Sequence, residues 1–90
     1  MIKNFNNIMF YISHRGNVDG IKKSLENNPE YIKYAIKLGF DVEVDVRTKN
    51  KKFYLGHDEP LYHVSSTFLK NKKIWCHAKT SEALSALKKI

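Results

Sequence analysis

The sequence predicts an α/β fold with parallel strands, and three observations carry the prediction. A short continuous apolar run at 8–13 has the character of a buried strand. A segment with both helix ends marked follows, from Asn28-Pro29-Glu30 to Gly39. Apolar and polar residues then alternate over 40–47, the period of a strand.

Taken in order, 8–13 reads Ile-Met-Phe-Tyr-Ile-Ser and suits a strand buried on both faces, stopping at Arg15-Gly16. Residues 17–20 are turn material. Asn28 supplies an N-cap side chain, Pro29 the first helical position and Glu30 an early acid. Tyr31, Ala35 and Leu38 fall at i, i+4 and i+7 with Ile32 and Ile36 beside them, and Gly39 closes the helix. In the next strand Phe40, Val42, Val44 and Val46 point one way, and Asp41, Glu43, Asp45 and Arg47 the other. Residues 48–51 turn the chain, and 52–55 form a short extended piece ending at Gly56-His57-Asp58. A loop with one helical turn fits 59–69, a third strand 73–77, and a helix 81–90 opened by Thr80 or Ser81 with Glu82 in its first turn. The order is strand, helix, strand, hairpin-like excursion, strand, helix. Right-handed crossovers would bring the strand C-termini to one edge, carrying His14, Glu43, Asp45, His57 and the segment from His77 to Lys79.

Composition narrows the function classes. The 90 residues carry 16 Lys plus Arg against 9 Asp plus Glu, a formal charge of +7, with 42% hydrophobic and 28% charged residues. That is one soluble globular domain, spanning 1–90. No apolar run approaches the roughly 20 residues that cross a bilayer. No small-residue cleavage site follows the N-terminal stretch. Cys76 stands alone, without a partner for an internal disulfide. A cytoplasmic protein without a membrane span is the expectation. The cations are 14 Lys against only Arg15 and Arg47, set in short runs at turns and helix ends. Nucleic-acid readers favour the bidentate Arg fork, so this balance argues for a solvated surface and against nucleic acid.

Glu43 and Asp45 share a strand face, with Cα atoms roughly 6.6 Å apart. Such a pair can chelate one hard cation, or it can simply line a solvent-facing strand edge. His14-Arg15-Gly16 after a buried strand offers a base near neutral pH, a phosphate grip and a close backbone approach. Read alone, a strand-end His is more often a hydrogen-bonded structural residue. His57-Asp58 is equally an acid–base group or a polar turn. His63 has no matching partner and reads as surface.

The motifs gain weight from their order. His-Arg-Gly at 14–16, Glu-Asn at 26–27, Glu-Val-Asp-Val at 43–46 and Gly-His-Asp at 56–58 together resemble the glycerophosphodiester phosphodiesterase family. The resemblance runs from about residue 10 to 58, roughly half the chain. It implies an enzyme: a metal-dependent phosphoric diester hydrolase that releases glycerol 3-phosphate and an alcohol. It also implies roles. His14 and His57 resemble the acid–base pair, and Glu43 and Asp45 the ligands of a divalent cation, Mg²⁺ or Ca²⁺. Arg15 and Lys79 resemble phosphate contacts, and Glu26 a supporting residue. The implied partner is a small-molecule glycerophosphodiester.

The sequence departs from the family in two places. Where the family has Glu-x-Lys, this chain has His77-Ala78-Lys79, so an imidazole stands in the place of a third carboxylate ligand. That exchange weakens Mg²⁺ or Ca²⁺ relative to Mn²⁺ or Zn²⁺, and leaves His77 as a metal ligand, a phosphate contact or a packed strand residue. The family fold is a (β/α)8 TIM-type barrel, which typically needs about 200 residues or more. The resemblance therefore implies the N-terminal portion of such a barrel, about three strand–helix units, self-associating or completed by a missing C-terminal portion. The alternative to an enzyme is a non-catalytic barrel fragment that binds phosphate or a partner chain.

Overall fold

The computed structural model describes residues 2–5 and 8–90, with side chains from Tyr11 onward. Six strands form one sheet: β1 (Ile2–Phe5), β2 (Ile8–His14), β3 (Asp41–Lys49), β4 (Lys52–Leu55), β5 (Tyr62–Val64) and β6 (Ile74–Ala78). Three helices complete the described chain: α1 (Pro29–Lys37), α2 (Ser66–Leu69) and α3 (Ser81–Leu87).

The helix starts are built as their sequences require. The Asn28 side chain accepts the Glu30 N–H with Pro29 in the first turn, and Thr80 accepts the Ala83 N–H ahead of α3. α2 is a single turn capped by Ser65.

The sheet overturns the expected parallel portion of a (β/α)8 barrel. Only the β2–β3 and β3–β6 pairings are parallel; β1–β2, β3–β4 and β4–β5 are antiparallel. The sheet is mixed, and the reason is local. Asn50 and Lys51 both take left-handed backbone angles, φ 52° and 62°, between Lys49 and Lys52, which face each other. A two-residue turn of that hand sends the chain straight back along β3 as a hairpin. The chain then folds back again as β5, so β3, β4 and β5 form a meander instead of a strand–helix unit.

β3 is the axis of the sheet. Its Val42, Val44 and Val46 are fully buried with Ile32 and Ala35 of α1, Leu55 of β4, Val64, Leu69 and Ala83 of α3. β2 meets the expectation of burial on both faces only in part. Ile12 and Ser13 are buried, but Tyr11 is 56% exposed; the expected burial of Ile8, Met9 and Phe10 lies outside the described side chains. Among the described residues no helix is long and apolar enough to cross a membrane.

Candidate active site

The register of β3 explains how the distant motifs meet. On one flank β2 covers its first part, with Ile12, Ser13 and His14 opposite Asp41, Val42 and Glu43. On the same flank β4 covers its last part, with Leu55 opposite Val46. β2 runs parallel to β3 and β4 antiparallel, so their C-terminal ends point at each other and meet beside Asp45. The Arg15 N–H donates to the Glu43 carbonyl at 2.7 Å, and the Gly56 N–H donates to the Asp45 carbonyl at 3.1 Å. The antiparallel hairpin, and no parallel crossover, delivers His57 to Arg15.

β6 lies on the other flank, with Asp45 opposite His77. Registered neighbours in a sheet share a face, so His14, Glu43, Asp45 and His77 form two adjacent polar rows. His14 Nε2 lies 3.5 Å from Glu43 Oε1, and His77 Nδ1 lies 3.4 Å from Asp45 Oδ1. The two carboxylates differ sharply in setting: the Asp45 side chain is 1% exposed and that of Glu43 29%.

Asp45 is the centre of the arrangement. Its Oδ2 accepts a hydrogen bond from the Asn27 amide Nδ2 at 2.9 Å and forms an ion pair with Arg15 Nε at 2.8 Å, with His57 Nδ1 at 3.7 Å. Burial pushes the Asp45 carboxyl up, but the Asn27 hydrogen bond and the charges of Arg15, Lys79 and His57 together outweigh it, and the group titrates below its ordinary range. Glu26 behaves alike. Burial raises it, while bonds from Asn17 at 2.7 Å and Arg15 at 3.2 Å, with the charges of Arg15 and His14, bring it below the usual value.

Arg15 is held on every side. Nε is on Asp45, Nη1 donates to Glu26 Oε1, and Nη2 lies 2.6 Å from His57 Nδ1. A guanidinium only donates, so His57 Nδ1 is the acceptor in this contact. The His57 loop is fixed from below by Arg47, whose Nε and Nη2 donate to the carbonyls of Gly56 at 3.0 Å and His57 at 2.6 Å. Gly56 is required there, because a Cβ would overlap the Glu59 carbonyl oxygen. A cavity of about 390 Å³ opens over Arg15 and His57, lined also by Lys23, Glu26, Asn27 and Asp58.

The structure thus gathers Arg15, Glu26, Asp45, His57 and His77 at one point and sets His14 with Glu43 in the next row. Lys79 follows β6, donates its backbone N–H to the Val46 carbonyl at 2.9 Å and adds its charge to the field on Asp45. His63 is exposed on β5 against Tyr54, ring centres 5.4 Å apart. Three residues escaped the sequence reading: Asn17, which holds Glu26; Asn27, which holds Asp45; and Arg47, which holds the His57 loop. Asn27 carried one visible signal, its place in the Glu-Asn motif.

Two carboxylates and two imidazoles offer mixed oxygen and nitrogen donors, which suit Mn²⁺ better than Mg²⁺. Among the described residues no three of His, Cys, Asp or Glu are drawn together into a cage, the donors standing in two pairs. Around the site stand four cations, Arg15, Lys23, Arg47 and Lys79, and five carboxylates, Glu26, Glu43, Asp45, Asp58 and Glu59.

Comparison with protein-family models, with curated proteins and with solved structures found no match to this chain.

Proposed function

We propose that this chain is a phosphoric diester hydrolase of the glycerophosphodiester type, cleaving its substrate to glycerol 3-phosphate and an alcohol. The observation that carries the reading is the convergence on buried Asp45 of Arg15 and His57, from strand ends 42 residues apart in sequence. Both Arg15 (φ 58°) and Asn27 (φ 65°) adopt left-handed backbone angles to reach it. Non-glycine residues held in that region cost about 1–3 kcal/mol each and concentrate at ligand-binding sites.

The geometry suggests how the residues divide the work. Arg15 blocks the Nδ1 lone pair of His57. A phosphate that draws the guanidinium Nη2 to itself frees that lone pair, so substrate binding switches on the base. His57 then takes a proton from the attacking hydroxyl, whether of water or of the substrate. His14, its Nε2 beside Glu43, delivers a proton to the leaving alkoxide. Glu26 and Asp45 keep Arg15 pointed at the place where the phosphate enters.

Glu43 and the Oδ1 of Asp45, with His77, are the residues that would hold a divalent cation. That ion would supply charge neutralisation at phosphorus.

The test is hydrolysis of glycerophosphocholine by the purified chain with Mg²⁺, Ca²⁺ or Mn²⁺ and with a chelator. The expected result is metal-dependent turnover that falls at least ~10²-fold in His14→Ala and in His57→Ala, with the metal still bound. Phosphate binding without any turnover would make the chain a binding domain and end the enzyme reading.

A further inference from the structure

Among the described residues two cations line the cavity over His57, Arg15 and Lys23, and they are held in opposite ways. The Arg15 guanidinium is committed at every nitrogen: Nε to Asp45, Nη1 to Glu26 and Nη2 to His57. The Lys23 ammonium has no ion pair and no hydrogen bond among the described residues. Glu26, which shares the cavity, is already taken, Oε1 by Arg15 and Oε2 by Asn17. Asp58 and Glu59 belong to the His57 loop and are exposed, and neither stands within ion-pair distance of Lys23.

The backbone fixes Lys23 at the cavity. The Leu25 N–H donates to the Lys22 carbonyl at 2.9 Å, closing a turn with Lys23 and Ser24 at its corner. The Glu26 N–H donates to the same carbonyl at 3.2 Å. The Lys22 N–H is held in turn by Asn17 Oδ1 at 3.2 Å, from the side chain whose Nδ2 grips Glu26. The Asn27 N–H closes the neck of the loop on the Arg15 carbonyl at 3.0 Å. The loop that presents Lys23 is thus tied to the same residues that hold Arg15.

An unpaired ammonium beside a guanidinium raises the local potential, and an anion entering between them lowers it. Arg15 can take an anion only by giving up a bond it already has, whereas Lys23 gives up only water. We propose that Lys23 is a substrate-binding residue, whose ammonium receives the phosphate of the diester as it enters and holds it beside Arg15. The proposal rests on the hydrolase reading and adds to it a phosphate contact outside the four motifs. Lys79, the lysine that the resemblance implies, lines no part of this cavity.

The test uses inorganic phosphate as the probe, titrated calorimetrically into the full chain, alongside kcat and KM for glycerophosphocholine. Lys23→Met keeps the aliphatic stem on an exposed turn and removes only the charge. Lys22→Met removes the same charge one residue away, on a side chain that does not line the cavity. A charge-assisted contact is worth about 10-fold or more in affinity. Lys23→Met is therefore expected to bind phosphate about 10-fold more weakly and to raise KM by a similar factor with kcat little changed. Lys22→Met should change either by less than about 2-fold. The proposal is overturned if the parent binds no phosphate, if Lys23→Met binds it as the parent does, or if Lys22→Met loses as much. Phosphate binding that depends on Lys23 in a parent that hydrolyses nothing would sink the hydrolase reading and leave the role of Lys23 standing.

Discussion

The two faces of β3 are made of the same strand and stabilised in opposite ways. On one face Val42, Val44 and Val46 are sealed beneath α1 and α3. Their contribution is area removed from water, and it does not depend on which apolar atoms do the covering. On the other face Asp41, Glu43, Asp45 and Arg47 each need particular partners. Asp41 accepts the Trp75 indole N–H at 2.8 Å, and Asp45 has Arg15 and Asn27. The apolar face tolerates exchange among residues of similar volume; the polar face does not, because a buried charge without its partner is costly.

The sharpest way to separate the two faces is to remove one partner from each. Arg15→Ala leaves buried Asp45 without its guanidinium, and breaking such a pair costs about 3–5 kcal/mol. A double exchange that also neutralises Asp45 (Arg15→Met with Asp45→Asn) should recover much of that loss. Urea unfolding of the single and double variants measures both, and equal instability of the two would show that the pair matters for packing and not for charge. On the apolar face Ile32→Ala removes a fully buried side chain and should cost about 3 kcal/mol, within the usual range for such truncations. There, no second substitution of a neighbour's charge should rescue it.

How much of this was legible follows the same division. The apolar face and the helix ends were readable because their signals are local: alternation over 40–47, Asn28 before Pro29, Thr80 before Ser81. The sense of the pairings was not. β5 is three residues long, too short for any period, and β1 sits in a segment with no alternation. The excursion between β3 and β4 read as hairpin-like, but Asn50-Lys51 is a weak form of the usual Asn-Gly signal, and nothing in the sequence showed the chain turning back again as β5. At the site, the motifs carried His14, Arg15, Glu43, Asp45 and His57. Asn17, Asn27 and Arg47 were hidden because a polar residue in a loop looks the same whether it meets solvent or a buried carboxylate.

Acid provides a gentler comparison. Asp45 and Glu26 both titrate below their ordinary values when folded. A lowered folded value means stability that is present above the unfolded carboxylate pKa, about 4, and is lost as pH falls through the folded values. Stability should therefore hold from neutral pH to about 5 and decline below 4. Glu26→Gln should flatten part of that decline, while Ile32→Ala should lower the whole curve without changing its shape. Urea midpoints measured from pH 3 to 7 test this, and a Glu26→Gln curve parallel to the parent's would remove Glu26 from the account.

The smallest effect belongs to a residue of the same type as those at the site. His63 is an imidazole on the polar face, as His14 and His77 are, but on the outer strand β5. Its described neighbour is the tilted ring of Tyr54, at 58° between planes, and no carboxylate stands within ion-pair distance of it among the described residues. An exposed aromatic pair on a sheet is worth at most about 1 kcal/mol. His63→Ala should therefore shift stability by less than about 0.5 kcal/mol and leave Mn²⁺ affinity and turnover unchanged. Should His63→Ala weaken Mn²⁺ as His77→Ala is expected to, the polar face would be acting as one diffuse array of histidines, and the central position assigned to Asp45 would have to be given up.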